Sequence, residues 1–416
     1  HFWVSLPLIL WQLYRSARRF DLLSRTFAED LRREQLPAFA RETAREASED
    51  LTSLQTPALL ERLECWTRRT LHDFARDSLK PTALAGVALG KLQQALTPSL
   101  GPERARAVLG ELTLRVRPDA EADLAGAVRE LAAGRLDRDT FLQRFGHRGS
   151  QEMELAQPRW SEEPAALDRL LVRDVRPANS EAEPTALVWA RVAAEARLSA
   201  SRRSALEGEV RTLQTYLGLR ETAKHYFMMG YALIRRVLVE LDRRYRLAGG
   251  IFYLIPGELP RLAAGEDLSA VIAQRRRHRA VALSLEVPQV LFSDNLDAIG
   301  RPIVMPGASV LQGTPLSAGV AEGEALVLHE PTAAAAVGHE AYVLVCPSTD
   351  PAWVPLFLRA RALVMEMGGV LSHGAIVARE FGLPAVAGLP DIHRRLRSGQ
   401  RLRVDGATGT VTVLPS

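Results

Sequence analysis

Cysteine is nearly absent from this sequence: two occur in 416 residues, Cys65 and Cys346. They stand far apart and in different predicted regions, so neither a disulfide framework nor a cysteine-based metal site is indicated. We therefore expect a cytoplasmic protein, in which thiols stay reduced. No HExxH, CxxC or EF-hand spacing occurs either, and we predict no metal site within this chain.

Long apolar runs are also absent. An apolar run at residues 2–13 is too short to span a bilayer, and a basic stretch rather than a cleavage site follows it. We therefore predict no membrane association, with a signal anchor as the alternative. Because the sequence begins without Met, we interpret residue 1 as the edge of a longer chain.

Lysine is scarce. The only lysines are Lys80, Lys91 and Lys224, and the formal net charge of the chain is +4. The many arginines alternate with Asp and Glu along predicted helices, which does not favour a nucleic-acid partner. The run from Arg275 to Arg279 has no interleaved aromatic residues, so a solvated helix face explains it better than a nucleic-acid contact.

The first three hundred residues are dominated by helical patterns. Apolar residues recur three and four positions apart from about residue 21 to residue 173, which predicts a helical bundle. A polar segment with prolines at residues 173–185 marks a possible sub-boundary within this region. Two further helices are predicted after it, at residues 187–217 and 220–246.

The last hundred residues have a different periodicity. After a linker predicted at residues 295–312, short apolar runs predict strands, and the final run predicts a hairpin that turns at residues 406–409. Asp350 is predicted to cap the turn that follows one of these strands. We therefore predict a large all-helical region at residues 1–294 and a separate mixed domain at residues 313–416.

One histidine near the C-terminus stands at the start of a predicted helix. In the stretch MGGVLSHGAIVARE, a strand pattern ends at two glycines, Ser372 is a favourable N-cap, and the helix runs from His373 to Glu380. The first turn of a helix presents N–H groups and the positive end of the dipole, which favour anions such as phosphate. We predict that His373 is a nucleophile, and that Ser372, Gly369 and Gly374 stabilise a phosphate group beside it.

This stretch and its neighbours resemble a known family. Four segments are similar to the swivelling phosphohistidine domain of phosphoenolpyruvate-utilising enzymes: LQGTPLSAGVAEGEALVL, STDPAWVPLFLRARALVMEMGG, GGVLSHGAIVAREFGLPAVAG and VDGATGTVTV. Within that family, TDPAWVPLF and VLSHGAIVARE look most like the rifampicin phosphotransferase branch and ligases of similar build. Three helical segments resemble the same branch: FGHRGSQEMELAQPRW, LRETAKHYFMMGYALIRR and GGIFYLIPGEL.

The resemblance implies a fold and a reaction. The fold is a helical acceptor-binding region followed by a C-terminal swivelling β/β/α phosphohistidine domain. The reaction is an ATP-dependent phosphotransfer that uses Mg²⁺. In it, His373 takes a phosphoryl group from the nucleotide and passes it to a small-molecule hydroxyl, with AMP and inorganic phosphate as the other products. A covalent intermediate divides a difficult reaction into easier displacements.

The nucleotide site is not recognisable in this sequence. Residues 1–300 contain no alternating strand and helix pattern with a glycine-rich phosphate loop, and no GxxxxGK[ST] motif occurs. Enzymes of the family have an ATP-grasp domain. We expect that domain, and most ligands of Mg²⁺, upstream of this chain or on a partner chain. No sequence follows Ser416 for a pyruvate-binding barrel, so pyruvate is not the expected acceptor.

Candidates for the acceptor site lie in the helical region. Arg220 and Lys224 are four residues apart, on one face of a predicted helix, with Glu221 beside them. His147 and Arg148 form a basic pair in a glycine-flanked turn, where the backbone can approach a ligand. The structural alternatives are an ordinary surface helix for the first set and a turn with a buried histidine for the second.

Three functions remain open at this point. The first is the phosphotransferase working through phospho-His373, on an antibiotic or another secondary metabolite. The second is a ligase of the same build, in which the phosphoryl group activates one substrate for condensation with another. The third is a non-catalytic small-molecule binding protein that keeps the mobile domain as a lid. The cluster HYFMMGY at residues 225–231 fits a hydrophobic acceptor pocket, although helix core is the commoner use of such a stripe.

Overall fold

A computed structural model describes residues 26–113, 116–165, 184–285, 310–331, 341–370 and 372–415. The predicted apolar run near the N-terminus lies outside these residues, as do most of the predicted break and most of the predicted linker. The described residues form a large helical part followed by a mixed sheet, which confirms the predicted fold class. The domain limits stay a prediction, and the first strand begins at Val310, inside the predicted linker.

Most helices of the helical part bury their apolar faces in one core, as the three-and-four spacing predicted. Short π-helical turns at Leu31–Gln35 and Arg69–Phe74 lie before and between the first helices. The helices are α1 (Leu36–Ala47), α2 (Thr56–Arg68), α3 (Ala75–Ser78), α4 (Lys80–Leu100), α5 (Pro102–Leu112), α6 (Leu124–Ala132), α7 (Arg138–Phe145), α8 (Thr185–Glu195), α9 (Ala200–Tyr245), α10 (Leu259–Ala263) and α11 (Ser269–Ser284).

Helix α9 is 46 residues long and packs against α1, α2 and α4. The prediction of a helix boundary at residues 218–219 is wrong, because the break between α8 and α9 falls at residues 196–199. Gly218 continues the helix at a point of close packing: a Cβ atom there would lie 2.4 Å from the carbonyl oxygen of Arg117. The glycine at the expected boundary therefore permits a contact and does not end the helix.

The C-terminal part contains an eight-stranded mixed sheet among its described residues, in the order β1-β8-β7-β3-β4-β5-β6-β2. Neighbours from β3 to β6 pair parallel, and the remaining pairs are antiparallel. The predicted strands and the predicted final hairpin are confirmed. The strands are β1 (Val310–Gln312), β2 (Thr314–Ser317), β3 (Val320–Val327), β4 (Tyr342–Cys346), β5 (Ala360–Met365), β6 (Ala385–Ala387), β7 (Arg401–Asp405) and β8 (Thr410–Val413).

Helices cover both faces of this sheet. Strand residues alternate between the two faces, so that Met365 packs in the cluster with α12 (Val354–Phe357) and α13 (His373–Glu380). Val364 packs in the opposite cluster with α14 (Ile392–Arg395). Parallel strands buried on both faces explain the continuous apolar runs of β4 and β5.

One apolar cluster, which we call the shared cluster, includes residues from both parts of the chain. Helices α6 and α7 and the segment after them lie against the face of the sheet that carries α12 and α13. The cluster joins Leu124, Val128, Phe141, Phe145 and Trp160 of the helical part with Leu344, Trp353, Phe357, Met365 and Ala378 of the sheet part.

The arginine-rich helix α11 is largely exposed, and Ile272 is its buried residue. Two of its arginines serve the fold. Arg275 contacts both carboxylate oxygens of Glu258 at 2.6 and 2.9 Å, and Arg276 donates to the carbonyl oxygen of Ala248 at 2.7 Å. None of the helices in the described parts of the chain combines the length and the apolar character needed to cross a bilayer.

Candidate active site

His373 is the first residue of α13, directly after the turn that follows β5. The side chain of Ser372 accepts a hydrogen bond from the backbone N–H of Ala375 at 3.3 Å, which confirms the predicted N-cap. The imidazole is therefore placed at the positive end of a helix and at the carboxyl edge of the parallel strands, where α/β folds bind ligands.

The two predicted glycines beside His373 have different surroundings. A Cβ atom on Gly374 would lie 2.5 Å from Oγ1 of Thr349 and 2.6 Å from Sδ of Met365, so this glycine lets α13 pack closely on the sheet. Gly369 has no atom within 4 Å of such a position. The space that could admit a phosphate group therefore lies at Gly369, and the part of both glycines in phosphate binding stays a prediction.

The His373 side chain faces the helical part and is 11% exposed. Its Nδ1 atom lies 3.5 Å from Oε2 of Glu221 on α9, at the outer limit of a hydrogen bond. Neither Nδ1 nor Nε2 makes a hydrogen bond to the residues that the structure describes, and Glu221 is the charged neighbour of Nδ1. The structure thus brings together two predicted site residues that come from different parts of the chain.

Glu221 is surrounded by positive charge. Nη1 of Arg220 lies 3.1 Å from Oε1 of Glu221, and Lys224 is one turn further along α9. Burial acts to raise the pKa of Glu221, but the contact with His373 and the charges of Arg220 and Lys224 outweigh it and lower the pKa below its usual range. Glu221 is therefore ionised at neutral pH and can hold a proton on Nδ1 of His373.

Glu152 is a buried carboxylate that joins two of the predicted basic residues. Its Oε1 atom lies 2.7 Å from Nζ of Lys224, and its two oxygens accept hydrogen bonds from Arg148 at 2.5 and 3.0 Å. Burial acts to raise the pKa of Glu152, but the charges of Arg148 and Lys224 outweigh it and lower the pKa. Sequence reasoning missed Glu152, although its spacing of four residues from Arg148 was a usable signal.

His147 is buried against another histidine. Its ring centroid lies 4.7 Å from that of His225 on α9. Burial, followed by the charge of Arg148, lowers the pKa of His147 to about 3, and burial also lowers the pKa of His225. Both rings are therefore neutral at physiological pH. The Nε2 atom of His147 has no hydrogen-bond partner among the described residues. Both interpretations of this turn, a direct contact of His147 with an acceptor and a buried histidine whose hydrogen bonds are made, therefore stay predictions.

The HYFMMGY cluster is divided between core and surface. His225 and Met228 are buried, whereas Phe227 and Tyr231 are partly exposed, with ring centroids 5.8 Å apart. The Tyr231 hydroxyl donates to the carbonyl oxygen of Met153 at 3.1 Å. The exposed half of the stripe is thus the half that remains available to a hydrophobic acceptor.

Asp350 connects the two parts of the chain near this site. One of its oxygens accepts from the backbone N–H of Ala352 at 2.9 Å, which confirms its predicted capping role. The other accepts from the backbone N–H of Gln151 at 2.7 Å. Burial raises the pKa of Asp350, against the effect of these two backbone N–H groups. The turn that carries Arg148 and Glu152 is therefore fastened to the sheet part.

The described residues contain no cluster of three or more His, Cys, Asp or Glu side chains that could hold a metal ion. The chemistry that the site offers is that of an imidazole, a carboxylate that orients it, and flanking cations. That combination suits nucleophilic transfer of an anionic group.

Comparison with known proteins agrees with this geometry. Residues 338–409 match the family described as PEP-utilising enzyme, mobile domain, and residues 78–221 match the family described as Rifampicin phosphotransferase fourth domain. The chain therefore belongs to the PEP-utilising enzyme family, and its sheet part is of the mobile-domain type.

Named relatives give the branch. The chain is 33% identical over 302 residues to the rifampicin phosphotransferase of Streptomyces sviceus and 30% identical over 298 residues to that of Bacillus cereus. It is 28% identical over 309 residues to the prodigiosin synthesizing transferase PigC of Serratia marcescens. These alignments cover 66%, 66% and 67% of this chain and 34%, 34% and 33% of the relatives. The chain thus spans about a third of the length of the curated relatives that it matches.

Proposed function

We propose that this chain supplies the acceptor-binding and carrier parts of an ATP-dependent phosphotransferase. In this proposal His373 receives a phosphoryl group that originates in ATP and transfers it to the hydroxyl of a small molecule bound against α9. The observation that carries the proposal is the contact of Nδ1 of His373 with Glu221, flanked by Arg220 and Lys224. The names of the relatives support the same reaction class.

Glu221 sets the tautomer of the carrier histidine. With its proton drawn to Nδ1 by the Glu221 carboxylate 3.5 Å away, neutral His373 has its lone pair on Nε2. The phosphoryl group therefore resides on Nε2. When an acceptor hydroxyl attacks phosphorus, the Nε2–P bond breaks and the hydroxyl proton can pass to Nε2. The imidazolium that results lies against the Glu221 carboxylate.

Arg220 and Lys224 provide positive charge for the transferred group. Their side chains are 22% and 28% exposed, so both are partly accessible beside His373. Arg148 is different, because its side chain is only 3% exposed. We assign Arg148 to holding the Glu152 carboxylate and the turn in place, and Arg220 and Lys224 to contact with the phosphoryl group.

ATP and Mg²⁺ are proposed to bind mainly in a domain other than the residues described. Those residues offer no carboxylate or histidine cluster that fits Mg²⁺, and residues 1–300 have no phosphate-loop motif. The steps proposed for His373 therefore involve the described residues alone. An ATP-grasp domain upstream or on a partner chain would supply the phosphorylated state of His373.

A ligase is the second candidate function, and similarity to the prodigiosin synthesizing transferase favours it. In that version the phosphoryl group on His373 activates one substrate, and a second substrate displaces it. The geometry around His373 serves both outcomes, because the first transfer is the same. The acceptor distinguishes them: a hydroxyl yields a stable phosphate ester, whereas a carbonyl or carboxylate yields an activated intermediate.

The direct test is phosphorylation of His373. The chain is incubated with β-labelled ATP together with the part of the Streptomyces sviceus relative that lies outside the alignment, and separately with phosphoramidate, a small chemical donor to histidine. We expect acid-labile, base-stable label that is lost in His373→Ala and kept in His278→Ala, a control at an exposed position on α11. Label of that kind in His373→Ala, or its absence from the wild-type chain with both donors, would refute the proposal.

A further inference from the structure

Helix α13 contacts the helical part at both of its ends. At its first residue, His373 faces Glu221. At its last residue, Oε1 of Glu380 accepts a hydrogen bond from Nη2 of Arg129 on α6 at 2.8 Å. The Arg129 and Glu380 side chains are 10% and 3% exposed. An ion pair between the two parts of the chain is therefore almost fully withdrawn from water.

The guanidinium of Arg129 is further enclosed by an aromatic ring. Its Cζ atom lies 4.7 Å from the centroid of Phe381, the residue that follows α13. Its Nη1 atom has no hydrogen-bond partner among the residues that the structure describes. Arg129 is thus directed at the C-terminal end of α13 and depends on Glu380 for its charge partner.

We propose that Arg129 and Glu380 are positioning residues for the carrier histidine: their ion pair holds α13 in the orientation in which His373 meets Glu221. A helix of eight residues is about 12 Å long, and a rigid rod fixed at both ends can neither slide nor pivot. Loss of the contact at Glu380 removes the polar anchor at the C-terminal end of α13, while Glu221 and the apolar contact of Ile376 with Val116 and Leu217 still hold its N-terminal half. The catalytic meaning of this inference rests on the proposed function, whereas the contact itself does not.

The ion pair lies beside the shared cluster, to which Val128 of α6 and Ala378 of α13 belong, so its charges are held where little water reaches them. Burial, and then the charge of Asp123, raise the pKa of Glu380 to about 7, while Arg129 and Arg117 act in the opposite direction. Above that pH Glu380 is ionised and pairs with the charge of Arg129, whereas below it a protonated Glu380 can remain buried without a charge partner.

Accessibility of His373 reports the contact without any phosphoryl transfer. We would measure the rate of carbethoxylation of His373 by diethyl pyrocarbonate, with mass spectrometry to assign the modified residue. At about pH 8, Arg129→Gln leaves an ionised Glu380 without a partner, and we expect modification of His373 about tenfold faster than in the wild-type chain. At about pH 6 a protonated Glu380 can stay buried, so the ratio of the two rates falls towards one.

Two further variants separate positioning from general damage. The double variant Arg129→Gln/Glu380→Gln places two neutral amides in contact and should return the rate to within about threefold of wild type at both pH values. Arg244→Gln removes a partly buried ion pair with Glu240 that lies within the helical part, and should leave the His373 rate unchanged.

Three results would overturn the inference. The first is an unchanged rate of His373 carbethoxylation in Arg129→Gln at about pH 8, with circular dichroism showing that the variant is folded. The second is an equal increase of that rate in Arg244→Gln. The third is a rate in the double variant that does not return towards that of the wild-type chain. If only the proposed function were wrong, His373 would carry no phosphoryl label, but the carbethoxylation rates of the variants would still follow the pattern given above.

Discussion

Nζ of Lys224 and Oε1 of Glu152 lie 2.7 Å apart, so a lysine on α9 is paired with a carboxylate in the turn after α7. Arg148 contacts both oxygens of the same carboxylate. Glu152 therefore balances two cations at once, and it fixes the distance between the turn and the helix that carries Glu221. Two cations from different elements are thus held by one carboxylate.

Removal of the Glu152 charge should destabilise the chain strongly. Glu152→Gln leaves two buried or partly buried cations without a counter-charge, and we expect a loss of about 3–5 kcal/mol in the free energy of unfolding. The matched control is Glu154→Gln, at a side chain 35% exposed and 3.6 Å from Arg279, where the loss should be less than about 1 kcal/mol. Urea unfolding followed by circular dichroism measures both. Equal midpoints for the two variants would contradict the assignment.

Lys224 should matter to phosphoryl transfer more than to folding. Lys224→Met removes a cation beside the transferred group, and we expect release of label from phospho-His373 to the acceptor to slow about 100-fold. Lys91→Met is the control, because Lys91 pairs with Glu209 on the surface of the helical part. A single-turnover chase of labelled chain with acceptor gives the rate. The proposal about Lys224 does not survive if the two variants release label at the same rate.

Two glycines on α9 should respond in opposite directions to the same change. A Cβ atom on Gly208 would have no other atom within 4 Å, so Gly208→Ala should stabilise the helix by about 0.5–1 kcal/mol through helix propensity. In Gly218→Ala the new Cβ would meet the Arg117 carbonyl oxygen at 2.4 Å, and we expect a loss of about 1–3 kcal/mol. Thermal unfolding of both variants is the measurement. Stabilisation in both would show that α9 is not packed closely at Gly218.

Glu380 should give the chain a pH-dependent stability. Its pKa in the folded chain is about 7, above the ordinary value of 4.5, so the folded state binds the proton more tightly. The proton on Glu380 therefore stabilises the folded state by about 3 kcal/mol. This stabilisation is complete below pH 4.5 and is lost as the pH rises through 7. Glu380→Gln should remove this part of the slope, whereas Glu130→Gln, at an exposed position on α6, should keep it. The measurement is the free energy of unfolding of both variants and the wild-type chain as a function of pH, from below 4.5 to above 7.

The sequence was most informative where local signals agreed. Ser372 as N-cap, the glycines before it and the strand pattern at residues 360–367 all indicated one strand, turn and helix, and the structure has them there, with the strand ending at Met365. The hairpin of β7 and β8 followed in the same way from alternating apolar residues around a glycine-containing turn. Placement of His373 at a helix N-terminus needed no information from distant residues.

Long-range pairings were not accessible from the sequence. Glu380 was predicted only as the end of a helix, because nothing near it indicates Arg129 as a partner 251 positions away. Glu152 was passed over since its burial depends on Lys224, which lies on another element. The boundary expected near Gly218 failed for a related reason: the role of that glycine is set by the Arg117 carbonyl, a tertiary contact.

The shared cluster has a consequence for how such a chain can be divided. The cluster buries Phe141, Phe145 and Trp160 of the helical part against Trp353 and Phe357 of the sheet part. Each side of this cluster therefore completes the apolar packing of the other. If the chain were cut between residues 294 and 313, each fragment would expose an apolar surface, and the fragments should associate or aggregate when expressed alone. If another enzyme acquired the mobile domain, it would therefore also need helices equivalent to α6 and α7. The segment that can be exchanged between proteins is thus larger than the sheet.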